Sequence, residues 1–327
     1  MNDQLHLGDF TSNARTGQAV PKYYGDALVA LAAERPEVVA LTGDLAPATE
    51  CDGFRDTYPD RFVTPGIAEA NMIGLAAGMA RAGDMPFVHT FSVFMSRRAF
   101  DQVAMQVAYP RTNVKLAGFL PGLTTLLGVS HQAIEDIAMF RALPNMTVIE
   151  PCGGRQIPAA VRAAADHDGP VYLRMHRPSA VDDRPALPLE IGKAQLLREG
   201  DDAVILAAGH MVDEALQAAE ALAGTASVAV ANIHTIKPLD REFVIAQARR
   251  TGAVITAENH SVIGGLGSAV AETLMEAGVP AAFRRIGVQD TFAEGGSTPF
   301  LFNQYGLSAR HVAQAVRDVL QAKREAA

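Results

Sequence analysis

Short aliphatic runs alternate with helical repeats along almost the whole chain, and that rhythm leaves few folds open. In the second half AVILAAG is followed by DEALQAAEALAG, SVAVANI by LDREFVIAQARR, and AVITAEN by SAVAETLMEAG, before FRRIGV and a terminal helix from Ala309 to about Lys323. In the first half, strand-like runs at 38–41, 113–118, 146–150 and 171–175 are separated by segments of helical period. One of these covers 17–33 and must stop before Pro36. Strands separated by helices pair in parallel and need cover on both faces. The expected class is α/β, with two domains, each a mostly parallel sheet carrying helices on both faces. At 327 residues the chain exceeds the usual size of one domain. Pro178, Pro185 and Pro188, with Asp182 and Asp183 between them, have the chemistry of a linker. The expected division is a first domain over 1–180, a linker over 181–192 and a second domain over 193–327.

The apolar fraction of 49% with only 6% aromatic residues fits aliphatic sheet and helix layers rather than a disordered chain. The net charge of −8 has no basic run beside it, which argues against nucleic acid as a partner. No apolar run approaches the roughly 18 residues of a membrane span, and MNDQLHLGDF lacks a basic segment followed by an apolar one. The expectation is a cytoplasmic protein with no membrane contact. Cys51 and Cys152 are far apart and in no metal-spaced cluster.

Function concentrates in FVTPGIAEANMIGLAAGMARAGDMPFVHTFSVFMSRRAFDQ, residues 62–102. It reads as a strand ending at Thr64, a turn at Pro65 and Gly66, a helix with Glu69 near its start, and a strand delivering Phe91 and Phe94. A carboxylate and two aromatic rings set this way suit a flat heterocycle with a ring nitrogen to protonate. The glycines and alanines of the helix let something large pack closely, either the sheet of its own domain or another subunit. RRAFDQVAMQVA alternates faces as an ordinary amphipathic helix. Asp44 follows a strand, where it suits either a turn cap or a ligand contact. The apolar loop FLPGLTTLLGVSHQ is expected to be buried against a partner or to line a pocket, and His131 at its end suits capping or packing better than a site. HSVIGGLG lacks the third glycine of a dinucleotide loop and reads as a tight turn into a helix.

These motifs together resemble the carboxyl-terminal half of transketolase, comprising the pyrimidine-binding domain and the small terminal domain. The resemblance is carried by GIAEANM, HTFSVF, RAFDQ, SHQAIEDIAMFRALPNMTVIEP, TIKPLD, ENHSVIGGLGSAVAE and YGL, and it spans the chain from about Thr11 to the last helix. No Gly-Asp-Gly followed by an asparagine, the family's diphosphate and magnesium site, is present. The resemblance therefore implies one subunit of a split transketolase, completed in an α2β2 heterotetramer by a separately encoded diphosphate-binding subunit.

It further implies thiamine diphosphate as cofactor, with Mg2+ held mainly by that partner, in a transferase of carbohydrate metabolism. Glu69 would bond N1′ of the aminopyrimidine from a buried position, Phe91 and Phe94 would form the stacking wall, Asp44 would approach the cofactor and Arg97 would stand at the pocket rim. Arg15, Gln18, His131 and Arg177 would hold a sugar or sugar-phosphate-like substrate, His131 as a catalytic contact to the donor hydroxyls and the arginines at its anionic end. This chain departs from the family where Phe119, Leu120, Leu126, Leu127, Gly128 and Ala48 replace polar contacts. That thinned grip implies a ketose other than the ordinary pentose phosphates. The competing readings are another thiamine diphosphate enzyme half, of the 2-oxoacid dehydrogenase E1 beta or deoxyxylulose phosphate synthase type, and a subunit that keeps the fold without the chemistry.

Overall fold

The structure, a computed structural model, describes residues 21–178, 182 and 184–325. Its elements follow the predicted rhythm. Helix α1 (Tyr23–Glu34) leads to β1 (Val38–Thr42), then α2 (Asp52–Thr57), β2 (Phe62–Val63), α3 (Glu69–Ala82) and β3 (Met85–Phe91). After β3 the chain runs through two π-helical segments, Phe94–Arg98 and Val103–Ala108, with a single α turn α4 (Phe100–Gln102) between them. The ordinary amphipathic helix expected after Arg97 is thus replaced by wider turns, which re-aim side chains and recur at functional sites. Next come β4 (Lys115–Phe119), α5 (Asp136–Ala142), β5 (Thr147–Ile149), α6 (Ile157–Asp166) and β6 (Val171–Met175). The second half holds β7 (Gln195–Arg198), β8 (Ala203–Ala207), α7 (Met211–Ala221), β9 (Val228–Asn232) and β10 (Thr235–Lys237). It ends with α8 (Arg241–Thr251), β11 (Ala253–Ser261), α9 (Leu266–Glu276), β12 (Ala282–Val288), α10 (Thr298–Gln304) and α11 (Ala309–Glu325).

Two sheets result. The first has the order β10-β5-β6-β4-β3-β1-β2 and the second β12-β11-β8-β9-β7. Both are parallel except at one edge, where β10 pairs antiparallel with β5 and β7 with β9. The inner strands are buried from end to end, as strands covered on both faces must be. On one face of the first sheet Tyr24 and Leu28 of α1 and Val161 of α6 share a core with Phe87 and Leu173. On the other, Met72 and Ile73 of α3 and Phe140 of α5 share a core that runs on into Val204, Leu206 and Leu266 beneath the second sheet. The two sheets are joined again by β10, which belongs by sequence to the second half but extends the first sheet, with Thr235 opposite Ile149.

The chain leaves β1 for β2 on one side and passes back to β3 on the other, so strand order reverses at β1. The carboxyl ends of strands flanking such a reversal form the crevice where open α/β sheets bind ligands.

Candidate functional site

Because β1, β3, β4 and β6 are mutually parallel, their carboxyl ends lie along one edge. The candidate residues described by the structure sit at that edge. Asp44 follows β1, exposed and with a left-handed φ of 65°. A Cβ on the neighbouring Gly43 would stand 3.2 Å from the Gly66 carbonyl oxygen, so the exit of β1 touches the turn that leads into α3.

Glu69 is the first residue of α3 and is 3% exposed. The helix start suits a carboxylate through the unpaired amides of the first turn. Both oxygens of Glu69 accept hydrogen bonds from Arg98 Nη1, at 2.9 and 3.1 Å. The Arg98 guanidinium carbon lies 4.2 Å from the centroid of the Phe94 ring, a cation on an aromatic face. Phe91 closes β3 and Phe94 opens the first π-helical segment, so their rings meet with centroids 5.9 Å apart and planes tilted by 32°. His131 stands edge-on to both, 6.0 Å from Phe91 and 5.3 Å from Phe94. Its Nδ1 is 2.9 Å from the Ser130 hydroxyl. Partial burial, and then the charge of Arg98, lower its proton affinity, so near neutral pH the ring is neutral and can both donate and accept. Phe91, Phe94 and His131 thus form one wall of rings, and Arg98 joins Glu69 to it.

Arg98 is the member that sequence reasoning missed. The paired arginines are visible in the sequence, but which of them meets Glu69 and which meets the 129–135 loop is set by the fold. Arg97, which the resemblance puts at the cofactor rim, donates to the Val129 and Gln132 carbonyls at 3.0 and 2.9 Å and pairs with Glu135. It thereby braces the loop on either side of His131 and borders a cleft of about 590 Å³ with Val129, Ser130 and Phe292. The apolar loop is divided: Leu123 is fully buried, while Leu126, Leu127 and Val129 are 38%, 37% and 44% exposed. Arg177 lies past the end of β6, its Nε 3.5 Å from a Glu50 carboxylate oxygen. Glu50 also accepts from the Tyr24 amide at 3.1 Å, and burial raises its proton affinity against the pull of Arg177. Arg15 and Gln18 lie outside the described residues.

The HSVIGGLG segment is the tight turn expected. Glu258 accepts from the Leu266 and Gly267 amides at 2.7 and 2.8 Å, filling the start of α9 with a side chain of this same protein. Burial pushes its carboxyl up to about 7. Among the described residues no helix is long and apolar enough to cross a membrane.

Comparison with known proteins gives the family of the chain. Residues 16–181 match the transketolase pyrimidine-binding domain and residues 192–312 the transketolase C-terminal domain. The 6-deoxy-6-sulfo-D-fructose transketolase subunit of Clostridium sp. strain MSTE9 is 48% identical, over 92% of this chain and 94% of the relative. A 1-deoxy-D-xylulose-5-phosphate synthase of Syntrophotalea carbinolica is 39% identical over 91% of this chain but only 47% of its own length. Among solved structures, a split gene transketolase in an inactive beta4 tetramer superposes with a TM-score of 0.85 at 45% identity, covering 93% of this chain and 98% of that one. Fold and site define one half of an enzyme of the thiamine diphosphate-dependent class. The chain belongs to the transketolase family, as the subunit of a split enzyme that carries the pyrimidine-binding and C-terminal domains.

Proposed function

We propose that this subunit, joined to a separately encoded diphosphate-binding subunit in an α2β2 assembly, transfers a two-carbon ketol unit from an anionic ketose to an aldehyde. The observation that carries this is the cluster of Phe91, Phe94 and His131 at one sheet edge, with buried Glu69 joined to it through Arg98. An aminopyrimidine has a flat face and a basic ring nitrogen, and this site offers aromatic rings and a carboxyl to match. Thiamine diphosphate, when bound, supplies the carbanion-stabilising centre, with Mg2+ and the diphosphate contacts provided mainly by the partner.

The roles of this chain follow from its own groups. Glu69 shares a proton with N1′ once Arg98 gives up its hold on the carboxylate. Phe91 and Phe94 support the ring face, and Asp44 approaches from the end of β1. His131, neutral and backed by Ser130, bonds donor hydroxyls. Arg177, with Arg15 and Gln18, receives the anionic end, a task suited to guanidinium groups. The exposed Leu126 and Leu127 favour a ketose with fewer polar contacts to satisfy, and the Clostridium relative's name supports a sulfonated one. In this scheme residues 181–192 link a cofactor-pyrimidine domain, 1–180, to a terminal domain, 193–327, in a cytoplasmic enzyme.

Mixing the purified chain with its diphosphate-binding partner tests the proposal. The chain alone should be inactive and bind thiamine diphosphate poorly, and the partner should restore turnover of 6-deoxy-6-sulfo-D-fructose with an aldehyde. Strong activity from this chain alone would refute the split-site reading. Carbon dioxide release from pyruvate would instead favour the synthase-type condensation of the longer relatives, of which this chain matches about half.

A further inference from the structure

The terminal domain contributes none of the candidate site residues, yet its β11 reaches into the loop that carries His131. That loop, residues 120–135, folds back on itself, with the Gly122 amide donating to the Ala133 carbonyl at 2.8 Å. Asn259, 1% exposed at the end of β11, spans its first turn with both ends of its side-chain amide. Oδ1 accepts from the Leu123 amide at 2.9 Å, and Nδ2 donates to the Pro121 carbonyl at 3.2 Å. The fit between them leaves no space: a Cβ on Gly122 would lie 2.2 Å from the Asn259 carbonyl oxygen. At the loop's other end the Ser261 amide donates to the Ile134 carbonyl at 2.7 Å, and Gln132 Nε2 donates to the Glu294 carbonyl at 3.0 Å. Buried Arg174 ties the two ends together, donating to the carbonyls of Asn259 and Ala133 at 2.9 and 3.3 Å. The segments flanking His131 are therefore set by the terminal domain, while Arg97 braces the side toward Phe94.

We propose that Asn259 is a positioning residue: through the paired bonds to Pro121 and Leu123 it fixes the loop that places His131 against the donor ketose. This rests on the role assigned to His131 above. It gives the terminal domain a part in donor binding without contact to substrate. A backbone turn held by one side-chain amide loses both bonds together when that amide is removed, and the ring at the far end of the loop loses its placement.

The test is a double-mutant cycle in the complex with the diphosphate-binding partner, with 6-deoxy-6-sulfo-D-fructose as ketose probe and D-glyceraldehyde 3-phosphate as acceptor. Asn259→Ala should lower donor kcat/KM about tenfold, chiefly through a raised donor KM, while thiamine diphosphate affinity by calorimetry stays within about twofold. In a His131→Ala background the same change should cost almost nothing, because its effect runs through that ring. If Asn259→Ala fails to assemble, Asn259→Asp, which keeps the acceptor for Leu123, goes through the same cycle. Losses that multiply in the double mutant, or weakened cofactor binding, would overturn the role of Asn259. A His131→Ala complex with unchanged donor kinetics would instead remove the role of His131, and this inference with it.

Discussion

At the residue scale, the arrangement of Arg98 bears most directly on the proposed chemistry. Its guanidinium holds both oxygens of Glu69 and covers the face of Phe94, the two features that would receive an aminopyrimidine. Arg98 is half-exposed, so the pair is screened and contributes on the order of 0.2–1 kcal/mol. Displacing it costs the cofactor little, but not nothing. Arg98→Met in the reconstituted complex should tighten thiamine diphosphate binding about threefold and weaken its dependence on salt, as read by calorimetry. Unchanged or weaker binding would contradict that competition. Glu69, Phe91 and Phe94 are legible in the sequence because each lies close to a strand or helix end that the periodicity marks, whereas His131, in the loop before α5, is singled out only by the resemblance. Arg98 is not legible, since two adjacent arginines look alike until the fold turns one toward Glu69 and the other toward the 129–135 loop.

At the scale of elements, the legible parts were those whose signal is local. The strand Val171–Met175 has the bounds its sequence predicts, and β1 differs from the expectation only by Thr42. The helix start at Glu69 follows from the preceding Pro65 and Gly66, which break the strand. What escaped was non-local. The three residues of β10 are too few for an alternation signal, and they became a strand only by pairing with β5 from the other half of the chain. The short edge strand β7 is likewise defined by its antiparallel partner β9. The π-helical segments were invisible because RRAFDQVAMQVA carries an acceptable α period. Their widening answers to packing, with Met95, Val103 and Val107 all drawn into the core beside α3. The apolar loop is unusual in the sequence itself, but its cover by β11 of the terminal domain emerges only in the fold.

At the scale of the whole molecule, the two halves are stitched by buried polar groups, and this makes stability depend on pH. Burial lowers His89 to about 4, His176 to about 3 and His234 to about 4, and lowers His210 and His260 in the same direction. The unfolded chain protonates these rings near 6.5 while the folded chain keeps them neutral, so it is the unfolded state that takes up the protons. The contribution of these rings is therefore full above about 6.5 and is lost progressively as pH falls toward 4, by up to about 1.4 kcal/mol per pH unit for each such ring. Glu258, raised to about 7, acts in the opposite sense, because the folded state takes up its proton first, and Glu50, Glu150 and Glu214, whose carboxyls burial also raises, offset the rings in the same direction. Urea titrations of the chain at pH 7 and pH 5 should show the lower midpoint at pH 5, and equal midpoints would contradict the burial of neutral histidines. The central claim, that one buried carboxyl of this subunit activates a cofactor gripped at its other end by a different chain, is met most directly by Glu69→Gln in the reconstituted complex. Single-turnover kinetics at saturating thiamine diphosphate should show cofactor still bound and turnover reduced by at least about 10²-fold; turnover near that of the unaltered complex would contradict it.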